Sequence, residues 1–148
     1  ETSYYAAADA VTALSDILER EKIYDAVIPC IEMDSHVDII RRNVLTALVK
    51  SNDPRAKDVF LKYGKIGSTS RVRNIAISGL DSFLNDPKVI EFLNNNLFDS
   101  PRSTQGVILG LLEKAKDPSS RQILQKLAYS SNDQRFIDRV NKVMQAIN

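Results

Sequence analysis

The sequence has no tryptophan, one cysteine, one histidine, and only five glycines and five prolines in 148 residues. The single cysteine, Cys30, excludes an internal disulfide and a zinc site made of several thiolates. The single histidine, His36, excludes the H-E-x-x-H motif of zinc proteases, which needs two histidines. Because glycine and proline are scarce while leucine, isoleucine, alanine and lysine are plentiful, the composition favours helices over a turn-rich β fold.

The chain also lacks an excess of charge of one sign and a long apolar segment. Its formal net charge is +1, whereas nucleic-acid-binding domains usually carry a clear basic excess, so we expect no nucleic-acid ligand. The longest apolar run, residues 106–112, falls far short of the roughly 18 residues that cross a membrane, so we expect no membrane partner. One cysteine is compatible with a reducing compartment; the compartment stays open, with the cytoplasm favoured.

What the sequence does contain is a recurring Asp-Pro pair, at residues 53–54, 86–87 and 117–118. Each pair lies between two apolar patterns of helical spacing. Aspartate can accept hydrogen bonds from the free N–H groups at a helix start, and proline fits the first helical position, where no N–H is needed. The pairs therefore predict that each begins the second helix of a hairpin, and that Asp133, which no proline follows, begins a terminal helix.

A four-residue motif recurs in phase with these turns, with a small third residue and a large fourth residue. A small residue lets two helices approach closely, and a large residue fills the groove beside it. The period of roughly 31 to 36 residues is typical of helical-hairpin solenoids. The copies are Val11-Thr-Ala-Leu14, Leu45-Thr-Ala-Leu48, Ile77-Ser-Gly-Leu80, Ile108-Leu-Gly-Leu111 and, more weakly, Met144-Gln-Ala-Ile147.

These patterns predict an all-α fold, an α-α superhelix of about four hairpins and a terminal helix. We expect residues 1–148 to form a single α-solenoid domain. Because the chain begins with Glu1 rather than methionine, we also expect it to be a fragment of a longer chain.

Apolar stripes at spacings of three and four residues predict which side chains face inward. Pro29 should kink the second helix or mark a late start for its regular part. Cys30 lies on the apolar stripe of that helix, which predicts a buried structural thiol. Gly106 and Gly110 predict a close helix contact. The stripes expected to be buried in the first helix of the first two hairpins are Ala6, Ala10, Val11, Leu14 and Leu18, then Val37, Ile40, Val44 and Leu48.

The sequence contains no arrangement of residues that predicts catalysis or metal binding. Glu32 and His36 are four residues apart, a spacing that can share a metal on a helix, but Asp34 and Ser35 between them indicate a turn. Residues 64–70 contain glycine, lysine and hydroxyl groups without the order of a phosphate-binding loop. We therefore expect no catalytic residue, no metal ligand and no cofactor in this chain.

Arg41 and Arg73 occupy matching positions, each four residues before a copy of the motif. They are predicted to lie along one side of the solenoid. Two interpretations stay open. The arginines form a ladder between repeats with turn aspartates such as Asp53 and Asp86, or they form a surface patch that faces a ligand or partner.

Four segments of the chain, residues 3–14, 36–48, 52–56 and 71–76, carry a family resemblance. Their paired-helix pattern resembles HEAT-type repeats, which are armadillo-like. More narrowly, it resembles the helical C-terminal region of the zinc aminopeptidase family, which includes aminopeptidase N and puromycin-sensitive aminopeptidase. Short HEAT-like repeats of the phycobilin-lyase type, and the related helical region of a TFIID subunit, share the Asp-Pro-Arg-Ala and Val-Arg-x-x-Ala patterns.

The resemblance implies a non-catalytic domain that shapes or closes access to the peptide-binding cleft of a zinc metallopeptidase. The H-E-x-x-H and Gly-x-Met-Glu-Asn motifs of such a hydrolase are absent here, so zinc is expected only in a catalytic domain upstream. The partner would be a peptide substrate, another protein or another domain. The alternatives are a free-standing HEAT-like scaffold for protein–protein interaction and, third, a small catalytic or ligand-binding helical protein.

Overall fold

A computed structural model describes residues 3–147, and every regular element in that range is a helix, which confirms the predicted all-α class. Within the same range no helix is both long and apolar enough to span a membrane. Short 3-10 helices cover Ile28–Cys30, His36–Asp38, Leu80–Phe83 and Pro118–Ser120. The α-helices are α1 (Tyr4–Ile17), α2 (Arg20–Val27), α3 (Ile39–Ser51), α4 (Ala56–Tyr63), α5 (Ser70–Gly79), α6 (Pro87–Leu97), α7 (Arg102–Ala115), α8 (Arg121–Ser130) and α9 (Gln134–Ala146).

The chain divides into two compact regions, Glu1–Ser82 and Phe83–Asn148, which we call the N-terminal and C-terminal regions. In the N-terminal region α3 packs against α1, α2 and α5, and α4 packs more extensively against α5 than against α3. In the C-terminal region α6 packs against α7, while α9 contacts both α7 and α8. The sequence predicts that α4 pairs with α3 in one hairpin. In the structure α4 makes its larger interface with α5, the next helix along the chain.

The three Asp-Pro turns share one local hydrogen bond. The Oδ1 atoms of Asp53, Asp86 and Asp117 each accept from the main-chain N–H two residues later, at 2.9 Å in every case. At Asp86 the α-helix begins at once, with Pro87 in its first position. After Asp117 the first turn is a 3-10 helix that leads into α8, and after Asp53 the regular helix is delayed to Ala56. The predicted helix starts are thus confirmed at Asp86 and Asp117, whereas at Asp53 the helix begins three residues later, with Arg55 as its N-cap.

Asp133 begins α9 without a proline, as predicted. Its Oδ1 accepts from the main-chain N–H groups of Arg135 and Phe136, at 3.1 and 3.3 Å. The preceding Ser131 accepts from the N–H of Asp133 at 3.1 Å, and Ser51 accepts in the same way from Asp53 at 3.2 Å. A Ser-Asn-Asp segment therefore forms the same turn in both regions.

The buried face of α1 is displaced around the helix from the predicted stripe. Ala6 and Ala10, which the sequence predicts to be buried, are exposed, and Leu14 and Leu18 are half-buried. The reason is that alanine adds little apolar area, so its spacing does not decide which face packs. The face of α1 that packs inward contains Ala8, Val11 and Ser15, and Asn43 of α3 donates to the Ala8 carbonyl there at 3.0 Å.

The burial predictions for Val37 and Cys30, which precede α3, were also wrong. Val37 is 54% exposed, because its backbone is left-handed (φ 49°) and the regular helix begins only at Ile39. Cys30 is half-buried rather than buried, since the regular helix ends at Val27 and Cys30 lies in a 3-10 turn, where the side chains no longer follow the α-helical spacing. The late helix start predicted as one alternative for Pro29 is wrong, because the regular helix α2 precedes Pro29 and gives way to a 3-10 helix there.

The small residue of the repeated motif packs closely in one copy and not in another. A Cβ placed on Gly79 of α5 would lie 2.5 Å from Cζ of Phe60. The Phe60 ring of α4 therefore packs directly against the backbone of α5, which is possible because position 79 has no side chain. A Cβ on Gly110 of α7 would meet nothing within 4 Å, and the same holds for Gly106. The close contact predicted for Gly106 and Gly110 is therefore wrong, while Gly79 behaves as the motif predicts.

Candidate functional site

Arg41 lies in the first turn of α3 and binds the end of the preceding helical segment. Its Nε donates to the carbonyl of Ile31 at 3.1 Å, and its Nη1 donates to Oδ1 of Asp38 at 2.5 Å. The guanidinium carbon lies 5.3 Å from the centre of the Tyr63 ring. The side chain is 19% exposed, and its carboxylate partner is Asp38 rather than the turn residue Asp53.

Arg73 makes the equivalent contact from the first turn of α5. Its Nε donates to the carbonyl of Gly64, the residue that ends α4, at 3.0 Å. The residue is only 3% exposed, and burial lowers the pKa of the Arg73 guanidinium because desolvation disfavours its charge. The last carbonyls of a helix lack partners within it and carry partial negative charge, so a cation donor is stabilised there.

Gln105 makes the corresponding contact in the C-terminal region, although the sequence patterns did not single it out. Its Nε2 donates to the carbonyls of Leu97 and Phe98, where α6 ends, at 3.2 Å each, and the residue is buried. Arg41, Arg73 and Gln105 are equally spaced along the chain. That spacing is the signal that could have revealed Gln105, but a comparison of residue types passes over a change from arginine to glutamine.

A polar cluster surrounds the exposed edge of Arg41. The Tyr63 hydroxyl and the Lys62 ammonium both donate to Oε1 of Glu32, the latter at 2.9 Å. These bonds lower the pKa of Glu32, and the bond from Tyr63 is the larger cause. Burial, followed by the contact with Glu32, raises the pKa of the Tyr63 hydroxyl. The carboxylate that could have shared a metal with His36 is thus engaged by two donors.

Exposed ion pairs join residues about one repeat apart in the N-terminal region. Lys50 binds Asp16 at 2.6 Å, and Arg55 binds Asp25 at 2.8 Å while also binding the turn residue Asp53. Such exposed pairs contribute little to stability, because solvent screens their charges and holding two long side chains in place costs entropy. These ion pairs therefore show which consecutive segments lie side by side, but they are not a main source of the stability of the region.

Two grooves flank α8 in the C-terminal region. Among residues 3–147, no carboxylate side chain lines either of them. The α6–α8 groove has a volume of about 530 Å³ and is lined by Asn94, Asn95, Ser119, Gln122, Ile123 and Lys126. The α8–α9 groove has a volume of about 650 Å³ and is lined by Arg121, Gln125, Ala128, Tyr129, Ile137, Asn141, Met144 and Gln145.

A third groove, about 460 Å³ in volume, lies between α3 and α5 in the N-terminal region and is mainly apolar. Val49 and Ile75 supply its large apolar side chains, and Lys50, which also binds Asp16, supplies its charge. Within residues 3–147 no group of three or more histidine, cysteine, aspartate or glutamate side chains is placed to hold a metal ion.

No protein-family model matches this chain, and no curated protein matches it either.

Proposed function

We propose that this chain is a HEAT-like helical repeat domain, an α-α superhelix of about four hairpins and a terminal helix, that works by binding. The observation that carries the proposal is the equal spacing of Arg41, Arg73 and Gln105. Each donates to the carbonyls that end one helical segment from the early turns of the next helix. Repeat proteins are built from units that contact their neighbours through such recurring devices.

The leading role within this proposal is the non-catalytic helical domain of a zinc aminopeptidase. There it would shape or close access to the peptide-binding cleft, and its partner would be the peptide substrate or the catalytic domain. The support is the resemblance carried by residues 3–14, 36–48, 52–56 and 71–76. Zinc would belong to the catalytic domain and not to this chain.

The open reading frame that encodes the chain tests this role directly. We expect it to contain H-E-x-x-H upstream of Glu1, and a frame without that motif would contradict the aminopeptidase role. The chain alone should show no aminopeptidase turnover, and metal-dependent turnover by the purified chain would overturn the non-catalytic proposal. In the longer enzyme, deletion of residues 1–148 should weaken the discrimination between short and long peptides.

The second candidate is a free-standing scaffold for protein–protein interaction. The carboxamide-lined grooves beside α8 favour it, because they offer hydrogen bonds to a partner without requiring a catalytic domain. A reading frame that encodes no peptidase motif, together with a partner that binds these grooves, would favour this candidate.

Small-angle X-ray scattering tests the superhelix that both candidates share. A compact protein of this length has a radius of gyration of about 15 Å. We expect a distinctly larger value for a solenoid, and a value at the compact limit would contradict the superhelix.

A further inference from the structure

The α6–α8 groove combines hydrogen-bonding groups in a way that indicates a specific ligand. Three carboxamides, those of Asn94, Asn95 and Gln122, line it together with the Ser119 hydroxyl. A carboxamide offers both a carbonyl acceptor and N–H donors, so it can pair with a peptide group, which offers the same two functions in reverse. Several carboxamides in one groove can therefore form hydrogen bonds with the main chain of an extended segment.

One of these carboxamides lacks a hydrogen bond in the chain itself. The Oδ1 atom of Asn94 is buried and has no partner within residues 3–147. Buried polar atoms in proteins are nearly always hydrogen-bonded, and leaving one unpaired costs about 1–3 kcal/mol. Because this oxygen is closed to solvent, a donor from outside, such as a main-chain N–H, completes the site only when the Asn94 carboxamide rotates toward the groove.

The only charge in the groove lining is positive. Lys126 lies with its Nζ 4.2 Å from the centre of the Phe98 ring, and it forms no ion pair with a carboxylate in the described part of the chain. A cation held against an aromatic face and left without an anion can attract an acidic side chain. One cation is far fewer than the several phosphate contacts that sustain nucleic-acid binding, so these features favour a peptide.

We propose that the α6–α8 groove binds an extended peptide segment that carries an aspartate or glutamate side chain. The carboxamides of Asn94, Asn95 and Gln122 bind its main chain, and Lys126 binds its carboxylate. This inference rests on the proposed binding function and gives it a ligand class, but it requires neither a peptidase partner nor a superhelical shape.

Side-chain amide resonances make the test direct. The ¹⁵N-labelled chain is titrated, with NMR detection, with the blocked peptide acetyl-Ala-Glu-Ala-Glu-Ala-amide, the same peptide with lysine for glutamate, and an oligothymidylate. We expect saturable shifts of the side-chain amides of Asn94, Asn95 and Gln122 with the glutamate peptide only. Shifts confined to other surfaces, or the same shifts with the oligonucleotide alone, would overturn the proposal.

Charge reversal separates this site from nonspecific attraction. Lys126→Glu should weaken binding of the glutamate peptide at least roughly tenfold and make the lysine peptide the better ligand, since about 1.4 kcal/mol corresponds to tenfold. Lys88→Glu, an equal charge change at an exposed position of α6 outside the groove, should leave both affinities within about twofold. Equal losses in the two variants would contradict a built site.

Removal of the amide tests the main-chain contact. Asn94→Ala should weaken the glutamate peptide by roughly fivefold without changing the preference for glutamate over lysine, as expected for one lost hydrogen bond. Unchanged affinity would contradict the role of Asn94. If no probe shifts any resonance of the groove residues, the proposed peptide site is wrong. The proposed scaffold function is not affected by that result, because the reading frame and the scattering experiment test it separately.

Discussion

The N-terminal and C-terminal regions support the end of a helix with different side chains. In the N-terminal region the guanidinium of Arg73 donates to the Gly64 carbonyl, and burial lowers the pKa of Arg73. In the C-terminal region the neutral carboxamide of Gln105 donates to the carbonyls of Leu97 and Phe98. This position therefore requires N–H donors for carbonyls that lack helical partners, and charge is optional there.

A second contrast between the regions concerns glycine in the same place of the motif. Gly79 is buried against the ring of Phe60, whereas Gly110 has open space where a side chain would be. The motif thus has one sequence pattern and two physical roles. In α5 the small residue permits a close helix contact, and in α7 it contributes no such contact.

The largest expected effect comes from removing the buried cation. Arg73→Met should lower the free energy of unfolding by about 2–3 kcal/mol, because the Gly64 carbonyl loses its side-chain donor in a site from which water is excluded. Arg73→Gln should lose less, since a carboxamide can replace the donor as Gln105 does. Urea unfolding followed by circular dichroism gives both values. Arg71→Met, exposed on the same helix, is the control, and an equal loss there would contradict the comparison.

The two glycines should respond to alanine with opposite signs. Gly79→Ala should destabilise the protein by about 2 kcal/mol, because the new Cβ would overlap the Phe60 ring. Gly110→Ala should stabilise it by up to about 1 kcal/mol, since alanine favours the helix and meets no neighbour there. Thermal unfolding of both variants measures this, and a loss at both positions would show that Gly110 also needs the absence of a side chain.

Removing the neutral donor should cost less than removing the buried cation. Gln105→Met should lower stability by about 1–2 kcal/mol, because the carbonyls that end α6 lose an uncharged hydrogen-bond donor. Urea unfolding provides the value, and Gln125→Met at an exposed position of α8 is the matched control. A loss larger than that of Arg73→Met would reverse the ranking on which the comparison depends.

The Ser-Asn-Asp turns should give similar, smaller effects in the two regions. Asp133→Ala should lower stability by about 1 kcal/mol, because two N–H groups at the start of α9 lose their acceptor. Asp53→Ala should lose somewhat more, since the Arg55 side chain also loses a partner. Asp99→Ala, at an exposed position outside any helix start, should stay near zero. Thermal unfolding ranks the three variants by stability. If Asp133→Ala were as stable as the unsubstituted protein, a capping role for Asp133 would be contradicted.

Acid should weaken both regions through one glutamate each. The bond from Arg139 lowers the pKa of Glu113, and the bond from Tyr63 lowers the pKa of Glu32, both below the ordinary value of 4.5. A lowered folded-state pKa stabilises the fold above 4.5, and this contribution is lost as the pH falls through the folded value. Glu113→Gln and Glu32→Gln should each make the decline below 4.5 shallower in urea unfolding, and an unchanged profile would contradict the linkage.

Local signals in the sequence predicted the helix starts well. Asp86 with Pro87, and Asp133 without a proline, begin helices where predicted because their hydrogen bonds involve residues two or three positions away. Such contacts depend little on the rest of the fold. Burial was predicted less well. Ala6 and Ala10 are exposed because the packing of α3, and not the spacing of alanines, selects the inward face of α1.

The candidate groove could not be predicted in the same way. Asn94 and Lys126 are far apart in sequence, and only the tertiary arrangement of α6 and α8 brings both to the lining of one groove. Gln105 follows Arg73 at the same interval as Arg73 follows Arg41, yet its residue type differs, so its role became visible only through its contact with the end of α6.

The helical class, the turns and most helix starts follow from the sequence, because they depend on residue preferences and on hydrogen bonds over a few positions. The tertiary structure alone decided that Arg73 is buried, that Gly79 meets Phe60 while Gly110 meets nothing, and which side chains share a groove. Those properties depend on which distant helices pack together, and one pattern of residue types is compatible with several such packings.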